Sequence, residues 1–102
     1  MGHRRLVEFS PRAVQEVERA RDWWLENRDK VPNAFDEALA DLVERLEAGA
    51  EHVGARARIM PGLRRVLLSR IRYYAYFRIV AGDRVQVAAL WHASRGREPQ
   101  LG

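Results

Sequence analysis

Apolar residues recur at helical spacing soon after the start of the chain. The stripe runs over Ala13–Trp24, with charged residues on the opposite face. Ser10-Pro11 comes directly before it and supplies a capping hydroxyl, then a ring whose fixed φ suits a first helical turn. A first helix is therefore predicted to begin at this pair and to end within Arg28–Lys30.

A second stripe with the same spacing covers Phe35–Leu46. Pro32 is disfavoured inside a helix but suits its start, and Asp36 and Glu37 complement the positive end of the helix dipole. Gly49 is a residue type that often ends helices. Because the connection between the two helices is short, we expect them to pack as an antiparallel hairpin.

After Gly62 the spacing of apolar residues changes from helical to alternating. Three strands are predicted there, with the last two joined as a hairpin through Ala81-Gly82-Asp83: Arg64–Arg70, Arg72–Val80 and Arg84–Trp91. A short strand, Leu6–Phe9, precedes the first helix, and Ala50–Ala57 is expected to be irregular. The order β-α-α-β-β-β predicts an α+β fold in which the helical hairpin packs on one face of a small antiparallel sheet.

Length and composition narrow the class of protein. The 102 residues fit a single domain over residues 1–102, and 47% hydrophobic residues are enough for a core, which excludes a disordered or fibrous chain. The absence of cysteine excludes a disulfide scaffold and a thiol nucleophile, and it indicates a reducing compartment. No apolar run approaches the roughly 18 residues that span a bilayer. We therefore expect a cytoplasmic protein with no membrane partner.

Charge is distributed unevenly along the chain. Eight basic residues stand against twelve acidic ones up to Glu51, whereas ten arginines stand against only Asp83 and Glu98 from His52 onward. This basic second half indicates an acidic partner, either a nucleic acid or an acidic protein segment. A solvated basic surface without a partner is the alternative.

The third predicted strand separates two kinds of side chain. Those expected to lie under the helices are Tyr73, Ala75, Phe77 and Ile79. Those expected on the opposite face are Arg72, Tyr74, Tyr76 and Arg78. Guanidinium groups pair with phosphates and tyrosine rings stack on bases, so the second set suits single-stranded nucleic acid. Taken alone, however, this strand favours an ordinary solvated face with cation-π contacts. Arg64 and Arg65 point to opposite faces, and the pattern does not decide which one joins this set.

The end of the last strand carries candidate chemistry. His92 and Arg95 lie three residues apart; an imidazole can serve as general acid or base, and a guanidinium can stabilise a phosphorane. A structural histidine is the alternative reading. The three histidines are dispersed and there is no glycine-rich phosphate loop, so no metal and no cofactor are expected.

Five segments in this order resemble the RelE/ParE superfamily of type II toxin-antitoxin toxins, and most closely its ParE-like members. They are Val7–Ala13, Pro32–Phe35, Leu63–Leu68, Tyr73–Ile79 and Val87–Arg95. The Tyr-rich strand ending in Tyr-Phe-Arg and the closing strand with His, two residues and Arg are the strongest parts. The resemblance implies the fold predicted above and a growth-inhibiting toxin. It also implies a hetero-oligomer with a cognate antitoxin whose acidic, amphipathic tail wraps the toxin; the antitoxin-binding residues are not predicted.

The ParE-like reading implies a toxin without enzymatic activity that poisons DNA gyrase. The last three strands favour it, because they hold one histidine, no lysine and no carboxylate apart from Asp83 in the turn. The residues expected to contact the target are Arg64, Arg78 and Arg95.

The RelE-like reading implies a ribosome-dependent mRNA endonuclease, in which a 2'-hydroxyl attacks the adjacent phosphate. In this reading His92 would be the base or the acid. Arg65 and Arg72 would hold the phosphate, and Arg95 could stabilise the phosphorane. Either Tyr74 or Tyr76 would stack on a base or transfer a proton. RelE-type enzymes use several lysines on the sheet, whereas the only lysine here is Lys30. A non-toxic binding module is the third reading.

Overall fold

The computed structural model describes residues 4–81, 83–96 and 98–101. The helices are α1 (Pro11–Asn27) and α2 (Ala34–Gly49), followed by a 3-10 turn at Ala50–His52. The strands are β1 (Leu6–Phe9), β2 (Ala55–Arg56), β3 (Leu63–Leu68), β4 (Tyr73–Val80) and β5 (Arg84–His92). Every predicted element is present. The two-residue β2 lies where irregular chain was expected, and Gly82 of the predicted hairpin turn lies outside the described residues.

The helix ends follow from local chemistry. The hydroxyl of Ser10 accepts a hydrogen bond from the backbone N–H of Ala13 at 3.1 Å, which caps α1 as predicted. Asn33 provides no such side-chain bond, and α2 begins at Ala34, two residues later than Pro32. The indole N–H of Trp24 donates to the carbonyl of Val31 at 2.9 Å, so α1 is tied to the connection that leads into α2.

The sheet has the order β1-β5-β4-β3-β2. Strands β2 to β5 pair antiparallel with their neighbours, whereas β1 pairs with β5 in parallel, Leu6 opposite Arg84 and Phe9 opposite Val87. The α+β class and the order β-α-α-β-β-β are confirmed, but the expectation of a wholly antiparallel sheet is wrong at this edge. Both helices and three strands separate β1 from β5 along the chain. The sequence of a four-residue strand does not indicate whether so distant a partner runs parallel or antiparallel to it.

A β-bulge divides β5. Tyr76 pairs with Ala89 and Phe77 with Val87, so Ala88 is the extra residue. Before the bulge, Val85 and Val87 face the helices; after it, the helix side is taken by Leu90. The alternation of faces along β5 is therefore reversed beyond Ala88.

Apolar side chains form two clusters, one on each face of the sheet. The larger lies under the helices and contains the inward residues of α2, namely Phe35, Leu39, Leu42 and Leu46. The smaller lies on the opposite face, where Leu63, Tyr76 and Trp91 are covered by the β2–β3 connection and by Leu101. Neither helix of the described chain has the length and apolar character needed to cross a bilayer.

Two expectations for β4 are corrected by these clusters. Tyr76, predicted on an open face, is only 1% exposed, because the second cluster closes over it. Ile79, predicted under the helices, is 37% exposed, because it lies one residue from the end of β4 and outside the helix-side cluster. Tyr73, Ala75 and Phe77 do lie on the helix side as predicted.

We predict that Gly54→Ala destabilises the protein far more than Gly62→Ala. Both glycines have positive φ, +63° and +81°, so alanine at either costs about 1 kcal/mol. A Cβ at Gly54 would also lie 2.0 Å from the carbonyl oxygen of Arg65, whereas nothing lies within 4 Å of a Cβ at Gly62. Urea denaturation should give a loss above about 3 kcal/mol for Gly54→Ala. Equal losses in the two variants would contradict the close approach of these backbones.

Candidate functional site

A cavity of about 250 Å³ opens where β3, β4 and β5 meet the segment after β5. We call it the basic cavity, and its functional side chains are Arg65, Tyr74, Tyr76, Trp91, His92, Arg95 and Glu98. Five of the six residues predicted for RNA cleavage are brought together here. The sixth, Arg72, lies outside it, and the sequence did not indicate Glu98, which follows the last strand.

Arg65 is the arginine that joins this face. Its guanidinium lies 4.4 Å from the centre of the Tyr74 ring, and its hydrogen bond with the Tyr76 hydroxyl raises the pKa of Arg65 above its usual value. Arg64 instead donates to the carbonyls of Val53 and Gly54, both at 3.1 Å, and so braces the chain that enters β2. Arg65, and not Arg64, is therefore the arginine that shares the face of Tyr74 and Tyr76.

The tyrosines are less available than the sequence indicated. Tyr76 is buried in the second cluster, and its hydroxyl is engaged by Arg65. Tyr74 is half-buried, and one face of its ring is covered by the same guanidinium. Both side chains therefore hold Arg65 in place and are poorly placed to stack on a base.

His92 is fixed from two directions. Its ring packs edge-on against Tyr73, with the ring centres 4.9 Å apart, and its Nδ1 accepts a hydrogen bond from the backbone N–H of Ser94 at 3.1 Å. The Ser94 hydroxyl also lies 2.6 Å from Nδ1. Since Nδ1 accepts, the neutral ring carries its proton on Nε2. In this neutral form Nε2 donates a hydrogen bond and cannot act as a base; the ring serves as a general acid only when it is doubly protonated.

Arg95 lies at the mouth of the basic cavity. Its guanidinium is 4.1 Å from the centre of the Trp91 ring. Arg95 also lines two further cavities, both of which include Trp23 and Tyr73. We call these together the Trp23 groove. Arg95, which is exposed, thus borders both the basic cavity and the Trp23 groove.

The remaining predicted residues are placed apart from the basic cavity. Arg72 precedes β4 with a φ of +67°, is exposed, and its backbone carbonyl accepts the N–H of Ala93 at 2.8 Å. Arg78 lies on β4 between Leu63 and Gln86, and its buried Nε has no hydrogen-bond partner among the described residues. No group of three metal-ligating side chains occurs in the described chain.

The chain is similar to known proteins over most of its length. Residues 7–97 match the family model described as "ParE toxin of type II toxin-antitoxin system, parDE". No curated protein matches. Among solved structures, one titled "Chromosomal ParDE TA system from P. aeruginosa" is similar, with a TM-score of 0.73 and 20% identity, over 90% of this chain and 99% of that one. At this identity the likeness shows a common fold.

We predict that the stability of this site depends on pH through Tyr73. Burial raises the pKa of Tyr73 above its ordinary value of 10.0, and the nearby Arg95 partly opposes this. The folded state therefore holds this proton more tightly than the unfolded state, so its contribution is complete below pH 10 and is lost as the pH rises through the folded pKa. The free energy of unfolding should fall more steeply above pH 10 in the wild type than in Tyr73→Phe; parallel profiles would contradict this assignment.

Proposed function

This chain belongs to the ParE toxin family of type II toxin-antitoxin systems, and on that basis we propose that it stops growth by poisoning DNA gyrase. The match over residues 7–97 is the observation that carries the proposal, because it spans both helices and all the strands from β2 to β5. Poisoning requires a surface that binds the topoisomerase or its DNA and prolongs the broken state. It requires no proton transfer by the toxin.

The basic cavity suits binding of this kind. Arg65 and Arg95 are each held against an aromatic ring, at 4.4 Å and 4.1 Å from the ring centres. Side chains fixed before binding lose less conformational entropy when a partner arrives. The cavity therefore offers two oriented cations to an acidic or phosphate-bearing target.

We further propose that a cognate antitoxin neutralises the toxin in the cytoplasm as part of a hetero-oligomer. The uneven charge supports an acidic partner segment, since ten arginines follow His52. Large apolar side chains exposed on α1 support an amphipathic one; these are Val14, Trp23 and Leu25. Coverage of either surface would block access to the target.

RNA cleavage in the RelE manner is the second candidate. The observation that favours it is the content of the basic cavity, where an imidazole, two guanidiniums and the Glu98 carboxylate line the same space. With its proton on Nε2, neutral His92 presents no base at that nitrogen, so Glu98 would have to accept the proton of the 2'-hydroxyl and His92 would act as acid in its doubly protonated form. Lys30 lies in the connection between the helices and not among the residues lining this cavity.

The first experiment measures DNA supercoiling and the accumulation of cleaved DNA by purified gyrase. The same toxin preparation is added in parallel to ribosomes that carry a defined mRNA. Loss of supercoiling or accumulated DNA breaks, with intact mRNA, supports the proposal. Codon-positioned mRNA cuts with unaffected gyrase contradict it and favour the second candidate. Unchanged growth on induced expression without an antitoxin would favour a non-toxic binding module.

Two substitutions separate the candidates in cells. If gyrase is the target, His92→Gln should leave growth inhibition within about twofold of the wild type, because no proton transfer is involved. If the chain is a nuclease, His92→Gln combined with Arg95→Ala should reduce mRNA cleavage by about 10²-fold or more. Growth curves after induction and primer-extension mapping of mRNA measure the two effects. Cleavage retained in the double variant would remove both residues from an active site.

A further inference from the structure

We propose that Arg65 and Arg95 bind the phosphates of single-stranded DNA, while Trp23 stacks on an adjacent base. The proposal rests on the gyrase function and specifies what the basic cavity contacts there. It assigns a DNA contact to the toxin itself, in addition to any contact with the gyrase protein.

The position of Arg95 is the first observation. It lines the basic cavity together with Arg65, and it also lines the Trp23 groove. A nucleotide pairs an anionic phosphate with an aromatic base, and these two depressions offer a cationic site and an aromatic one that share one guanidinium. A small inorganic anion would use only the first of them.

The exposure of Trp23 is the second observation. The chain has three tryptophans; Trp24 and Trp91 are buried, whereas Trp23 is 43% exposed. The Arg28 guanidinium lies 5.7 Å from the centre of its ring, farther than the 4.4 Å at which Arg65 covers Tyr74, so the Trp23 ring keeps exposed surface for a base. Stacking needs an unpaired base, which indicates a single strand and not a duplex. The tyrosines expected to stack are occupied, so Trp23 is the aromatic surface that remains beside the cations.

The acidic groups around the two depressions agree with this assignment. In the Trp23 groove, the Glu16 carboxylate accepts the N–H of Leu90 at 2.8 Å and pairs with Arg12 at 3.1 Å, so its charge is already compensated. In the basic cavity, Glu98 lies close enough to Arg65 to act on it electrostatically. Glu98 belongs to a segment that folds back over the sheet, with Pro99 buried and Leu101 in the second cluster. Its carboxylate therefore occupies the cavity as an internal competitor of a phosphate.

The test measures binding of a fluorescent oligothymidylate DNA to the purified full chain by anisotropy, over a series of salt concentrations. Arg95→Gln and Arg65→Gln should each weaken binding at least about fivefold and reduce the slope of log K against log salt by roughly 0.7. Arg84→Gln is the matched control, because it removes one exposed positive charge at the opposite end of β5. It should leave the affinity within about twofold.

Two further variants test the base contact and the competitor. Trp23→Leu should weaken binding at least about fivefold, and an abasic oligonucleotide should lose a similar factor on the wild type. Glu98→Gln should tighten binding at least about threefold, because it removes the competing charge, whereas Glu44→Gln, exposed on α2, should not. Circular dichroism establishes that each variant is folded; if Arg65→Gln is not, Arg95→Gln and Glu98→Gln decide the question.

The outcomes separate this proposal from the function it rests on. Weakening by Arg95→Gln and tightening by Glu98→Gln, with parallel changes in gyrase poisoning, support it. Gyrase poisoning by a wild type that binds no single-stranded DNA overturns the DNA contact and leaves the gyrase function standing. Tighter binding to a matched RNA, together with mRNA cleavage, overturns both. Binding that Arg84→Gln weakens as much as Arg95→Gln shows diffuse charge attraction and overturns the site.

Discussion

The parallel pairing of β1 with β5 is the constraint on which the rest of this structure depends. It is secured at Ser10, whose backbone N–H donates to the carbonyl of Val87 at 2.9 Å and whose hydroxyl donates to that of Ala88 at 3.1 Å. The same hydroxyl caps α1, so the first helix begins beside the bulge of β5. Six residues later, Glu16 accepts the N–H of Leu90 and fixes the helix along β5. The direction of α1 across the sheet is thus set by backbone groups of β5.

A series of aromatic contacts connects the two helices to the functional site. Trp24 contacts Phe35 with ring centres 6.4 Å apart, Phe35 contacts Tyr73 at 6.1 Å, and Tyr73 contacts His92 at 4.9 Å. Each such pair contributes about 1 kcal/mol beyond the burial of its area. The imidazole at the edge of the basic cavity is consequently held by the packing of both helices. Its orientation is a property of the core as much as of the turn that follows β5.

The sequence was informative where neighbouring residues determine structure, and uninformative where distant ones do. Helical spacing, the Ser10 cap and the alternation in β4 are local signals, and they predicted both helices and the long strands. The burial of Tyr76 was missed because the residues that cover it come from the β2–β3 connection and the end of the chain. Glu98 was missed because only the folded-back segment brings it to Arg65. The choice between Arg64 and Arg65 needed the register of β3 against β4, which alternation alone does not supply.

The bulge at Ala88 determines which side chains at the end of β5 face the helices. Because alternation is reversed beyond it, His92 lies on the same side as Leu90 and Tyr73, and Trp91 faces the second cluster. If β5 passed this point with all its residues but without the bulge, alternation continued from Val87 would place Trp91 under the helices and His92 with the second cluster. One local irregularity of the backbone thus decides which of two neighbouring rings, an indole or an imidazole, packs under the helices.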